Sequence, residues 1–195
     1  MRTWIVAGLV AAVTAVAVGA QSPQAQADVA QSKLNAVMSA KPTPKAAAAP
    51  RRTTFTQTEM NAYLKYRATW LPAGITEPSV QFVGANRIAT LVTADLDGVR
   101  KKSSGGWFDP TSYLSGRLPV YVTGTLTTAA GKGRFVLDTA TVDGIPVPRV
   151  FVHELLAYYT RSETNPAGLR MEEPFELPSE IDRIDVAAGQ AVVIQ

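Results

Sequence analysis

The stretch Gly144-Ile-Pro-Val-Pro-Arg-Val-Phe-Val-His-Glu-Leu-Leu-Ala-Tyr-Tyr-Thr-Arg161 restricts the fold more than any other. It reads as a helix that starts sharply and carries a wide apolar face. Pro148 suits a first helical position, where its missing N–H leaves no partner unsatisfied and its φ is already helical. At 100° per residue, Phe151, Val152, Leu155, Leu156, Tyr158 and Tyr159 fall within an arc of ~160°. Arg149, His153, Ala157 and Arg161 lie outside it or at its edge. Burying the six releases on the order of 10 kcal/mol against an extended chain. The sequence around this helix alternates with a period of two, which implies a sheet curled around it.

That alternation organises residues 75–142 and the C-terminus. Ser79 to Val83 reads as a strand, Gly84-Ala-Asn86 as a turn and Arg87 to Asp97 as the partner strand. Ile88, Val92, Ala94 and Leu96 point one way, and Ala89, Thr93 and Asp95 the other. After the 98–110 loop, Leu118 to Thr127 places Leu118, Val120, Val122 and Leu126 opposite Tyr121, Thr123 and Thr125. Ala130-Gly-Lys-Gly133 is a hairpin turn into a strand from Arg134 to Val142. The chain ends with a hairpin of Ile181 to Val186 and Ala191 to Ile194. Aliphatic residues alternate with Thr and Tyr, so one face is buried and the other wetted. Upstream, Thr56-Gln-Thr-Glu59 is a capping box, with Phe55 and Met60 placed for a hydrophobic staple. It opens a shorter helix that ends before Pro72. The expected architecture is α+β: a curled, mainly antiparallel sheet of about six strands wrapped around a long amphipathic helix, with a second, shorter N-terminal helix.

Domain organisation follows composition. Residues 1–27 read as an export signal: Arg2, an apolar run from Trp4 to Val18, then small residues with two candidate cleavage sites, Val18-Gly-Ala20 and Ala25-Gln-Ala27. Cleavage after Ala27 is the preferred reading and after Ala20 the alternative. The run is short for a permanent span, and the folded part is expected in the periplasm or outside the cell. Residues 28–52 read as a Pro/Ala/Lys-rich tail and linker, with Val29, Leu34, Val37 and Met38 enough only for a marginal helix. Residues 53–195 form the domain. Six of the nineteen Lys/Arg and one of the sixteen Asp/Glu fall before residue 53, so thirteen bases and fifteen acids remain in the domain. The high pI therefore belongs to the leader and tail, which argues against nucleic-acid binding.

No catalytic signature survives inspection. The chain has no cysteine, which excludes a disulfide framework, a thiolate zinc site and a thiol nucleophile. His153 is the sole histidine and lies on the polar side of its helix. Asp95 and Asp97 share a strand face, but a calcium loop needs further oxygens in register. Gly131-Lys-Gly133 lacks the spacing of a phosphate loop. The chain reads as non-enzymatic, with no cofactor and no metal. Two features point to binding. An acyl chain fits between helix and sheet if the sheet curls without closing, lined by Phe151, Val152, Leu155, Leu156 and Tyr159 and by Val120, Val122 and Leu126. Tyr63, Trp70, Tyr158 and Tyr159 supply amphipathic rings at its border. A packed core is the competing reading. In the 98–110 loop, Arg100, Lys101 and Lys102 precede Trp107 and Phe108, a combination suited to anionic headgroups and the membrane interface. The competing reading folds Trp107 and Phe108 back as a lid.

Four segments carry a family likeness: Thr58-Glu-Met-Asn-Ala-Tyr-Leu64, Leu126-Thr-Thr-Ala-Ala-Gly-Lys-Gly-Arg134, Gly144-Ile-Pro-Val-Pro148 and Pro174-Phe-Glu-Leu-Pro-Ser-Glu-Ile-Asp-Arg-Ile-Asp-Val-Ala-Ala-Gly189. They resemble the bacterial exported phospholipid-binding proteins of the tubular lipid-binding type, nearest the actinobacterial envelope family that supports lipomannan elongation. The likeness spans roughly residues 55–195. It implies a curled sheet around a long helix, an apolar groove, and lipid binding or transfer without catalysis. The expected partners are a lipid or acyl chain and, transiently, a membrane surface. The alternative is an envelope structural or assembly factor with a dry core and a protein partner.

Overall fold

A computed structural model describes residues 22–40, 49–71, 74–95, 116–150, 152–153, 157, 170 and 172–195. In chain order the elements are α1 (Pro23–Met38), β1 (Arg52–Thr56), α2 (Gln57–Tyr66), β2 (Ile75–Gly84), β3 (Arg87–Asp95), β4 (Arg117–Ala129), β5 (Lys132–Val142), β6 (Ile145–Pro146), β7 (Phe175–Glu176), β8 (Arg183–Ala187) and β9 (Gln190–Ile194). The class is α+β, and every strand pairing among these elements is antiparallel.

The strands form two sheets. The larger runs β2-β3-β4-β5-β6, with β7 also paired to β5. It is built by local turns in which both central residues hold positive φ: Ala85-Asn86, Ala130-Gly131 and Asp143-Gly144. Such turns twist in the same sense as the strands they join. Register shifts at Thr76/Ser79, Phe82/Gly84 and Thr123/Gly124 bend the strands. The smaller sheet, β1-β9-β8, corrects the expectation that the final hairpin extends the large one. The hairpin pairs instead with Arg52–Thr56, whose β-branched threonines flank a buried Phe55.

Two polar side chains weld the sheets together. Asn86, at the β2–β3 turn, donates its backbone N–H to the Val186 carbonyl (3.0 Å) and accepts the Val186 N–H on Oδ1 (2.9 Å). Thr128 Oγ1 accepts from the Ile184 N–H (2.7 Å) and donates to the Ile184 carbonyl (2.8 Å). The edge of β8 thus finds partners without a further strand.

The capping box at α2 forms as the sequence indicates: Thr56 Oγ1 accepts from the Glu59 N–H, and Glu59 accepts from the Thr56 N–H. Phe55 and Met60 meet in one apolar cluster with Val37, Ile181 and Val193. Asn61 and Gln57 then cover the free edge of β2. Asn61 pairs with both backbone groups of Val80 (2.7 and 3.0 Å), and Gln57 Oε1 accepts from the Phe82 N–H (3.0 Å).

The largest departure is α1. Residues 28–38, expected as tail, belong to a 16-residue helix that begins five residues before the preferred cleavage point. Ser22 caps it, its Oγ accepting from the Ala25 N–H, and Pro23 takes the first turn. The helix lies against α2 and β1. Ala27 and Ala30 are fully buried and Ala62 in α2 is nearly so, and side chains this small let helices approach closely. Lys33 bonds both carboxylate oxygens of Glu59 at 2.7 Å and the Thr54 carbonyl at 2.8 Å. Arg67 pairs with Asp28 (2.6 Å), and Gln195 Nε2 donates to the Val37 carbonyl (2.9 Å). The marginal helix is stabilised by tertiary partners rather than by propensity.

Of the stretch from Gly144 to Arg161, the described residues Arg149, Val150, Val152, His153 and Ala157 are helical, and the Val152 N–H reaches the Pro148 carbonyl at 3.3 Å.

Candidate functional site

The large sheet has one apolar face, and its strand register sorts that face into rows. Phe82, Ile88, Gly124 and Leu137 form one row; Val80, Thr90, Val122 and Ala140 form the next. Both are covered. Over β2 and β3, Phe82, Val80 and Ile88 pack with Met60 of α2 and with Ile184, Val186 and Ala191 of the small sheet. Over β4 and β5, Leu137, Ala140, Val122 and Phe135 pack with Val147 and Val152. Leu137 is the largest side chain fully removed from solvent among the described residues.

Two further rows follow, and their residues join neither of these clusters. Val92, Val120 and Val142 make a third row, and Ile75, Ala94 and Leu118 a fourth. Of the six, Ala94 is buried and the rest are half-buried. The elements that meet here expose further apolar groups. Trp70 is 64% exposed, four residues before Gly74, whose carbonyl accepts from the Asp95 N–H. Ile145, the β6 partner of Val142, is 69% exposed. Asp95 and Arg117 face each other in the register, so both ends of the 96–115 connection attach here.

The residues expected to line a groove divide accordingly. Val120 lies in the third row. Val122 is next to it in the second, and Val152 packs against the same cluster as Val122. Leu126 pairs with Phe135 at the opposite end, near the weld to the small sheet. Phe151, Leu155, Leu156 and Tyr159 lie outside the described residues, as do Arg100, Lys101, Lys102, Trp107 and Phe108. Of the border rings, Trp70 Nε1 donates to Tyr63 Oη at 3.4 Å, and Tyr158 lies outside the described set. Val142 and Ile75 were absent from the expected lining. Each strand shows its own alternation, but which residues stand abreast depends on register, which is set across strands.

The reverse face is polar and threonine-rich. Thr123 and Thr139 share a hydrogen bond at 2.7 Å. Thr93 Oγ1 donates to Glu77, and Arg117 donates to Thr76 Oγ1 (3.0 Å each). Leu91 and Tyr121, cross-strand neighbours, stand exposed among them. Among the described residues, no group of three or more His, Cys, Asp or Glu gathers as a metal site, and no helix is long and apolar enough to cross a membrane. Glu59 is displaced in pKa. Burial alone would raise it, but the Lys33 ammonium and the Thr56 N–H outweigh burial and hold it below its usual 4.5.

No protein-family model, no curated protein and no solved structure matches this chain.

Proposed function

We propose that this protein is an exported, non-catalytic lipid-binding module that shelters an acyl chain against the third and fourth rows of its large sheet. The observation that carries this reading is an apolar sheet face on which two rows contribute to apolar clusters, while the half-buried Val92, Val120, Val142, Ile75 and Leu118 join none of those clusters among the described residues. The helix that starts at Pro148 would form the second wall, with Phe151, Leu155, Leu156 and Tyr159 facing Val120 and Val122. The exposed Ile145 stands beside Val142 and, with the exposed Trp70, would meet a membrane surface, joined by the basic and aromatic residues of the 98–110 loop. Each buried CH₂ contributes about 0.8 kcal/mol, so one long chain supplies useful affinity without a charged anchor. The family likeness and the leader-like N-terminus agree with this reading.

A fluorescent-acyl phospholipid titration tests it. Val142→Asp and Val120→Asp should weaken uptake at least tenfold, whereas Leu91→Asp on the threonine face should leave it unchanged. Full uptake by a folded Val142→Asp protein would exclude this surface. The exposed Leu91–Tyr121 pair favours a second reading, an envelope interaction module that uses the threonine face. There Leu91→Asp would abolish partner capture and lipid uptake would be absent throughout.

A further inference from the structure

We infer that the mature chain begins at Gln21, processed at Val18-Gly-Ala20 rather than at Ala25-Gln-Ala27; this rests on the export reading above. Both sites carry small residues at the positions a leader peptidase reads, so sequence does not separate them. The fold does. Cleavage after Ala27 would remove Ser22, the cap, and Pro23–Ala27, five of the sixteen residues of α1. It would delete Ala27, which is 0% exposed. It would also put a new ammonium on Asp28, at a helix end already positive from its unsatisfied N–H groups and beside the Arg67 guanidinium paired to that residue at 2.6 Å. Cleavage after Ala20 leaves the cap, the first turn and every docking contact of α1 intact.

In the reaction, water adds across the Ala20–Gln21 peptide bond, leaving a carboxylate on Ala20 of the released leader and a free α-amine on Gln21. That amine can close on the carbon of its own side-chain amide, expelling ammonia and removing the positive charge ahead of the helix.

The test is expression of the full chain with its own leader in a bacterium with a general secretion system, followed by intact mass and N-terminal sequencing of the exported fraction. The expected species runs from Gln21 to Gln195, with or without loss of one ammonia, and Ala20→Leu should abolish processing. A chain starting at Asp28, processed equally well in Ala20→Leu, would overturn the inference while leaving export intact. Retention of the leader in an unexported wild-type chain would overturn the export reading and this inference with it.

Discussion

Gly124 shows how tightly single residues are specified. A Cβ built there would stand 2.1 Å from the Phe135 ring, which lies across the glycine on the apolar face. Its φ lies outside the left-handed region, so the requirement at Gly124 is the close approach of that ring, next to the register shift at Thr123/Gly124. Gly124→Ala should cost about 1–3 kcal/mol by displacing Phe135, read as a lower midpoint in urea unfolding. Glu59 is specified by charge. Its carboxylate caps α2 and grips Lys33 of α1 at once. Because its folded pKa lies below the unfolded one, its contribution is complete above the usual carboxylate range and fades as pH falls through the depressed value. Glu59→Gln should therefore cost about 1–2 kcal/mol at neutral pH. The gap from wild type should close in strong acid, as checked by denaturant titrations across pH.

The elements were unequally legible. The β2–β3 and β4–β5 hairpins and the α2 capping box are local devices, written in Asn86, Ala130-Gly131 and Thr56/Glu59, and they read directly. α1 did not, because its buried positions are mostly alanines and leave no broad apolar stripe. Its partners, Glu59, Arg67 and Gln195, lie far along the chain. β1 is only five residues long, and its pairing with β9 joins residues near 54 to residues near 192, a contact with no local trace. The docking of α1 has a direct test. Ala30→Leu should destabilise by about 1–3 kcal/mol through overpacking. Leucine at exposed Ser32 should change stability by less than about 0.5 kcal/mol. Comparable losses in urea midpoint at the two positions would mean that the helix is not seated as described.

At the scale of the molecule, the small sheet and α2 pack against one end of the large sheet's apolar face, at Phe82, Val80 and Ile88. The strand-by-strand alternation revealed that this face is apolar. It could not reveal that Leu126 sits beside the weld to the small sheet while Val120 and Val142 lie rows away from it, because the weld is made by the β8–β9 hairpin, which arrives from distant sequence. The proposed occupant of the face around Val120 and Val142 is an acyl chain. Native mass spectrometry of the exported mature chain, α1 included, with organic extraction of bound material, tests it most directly. The expected result is a stoichiometric extra mass that resolves to phospholipid or another acyl lipid and is lost in Val142→Asp. A clean apo mass that gains nothing after incubation with liposomes would contradict it.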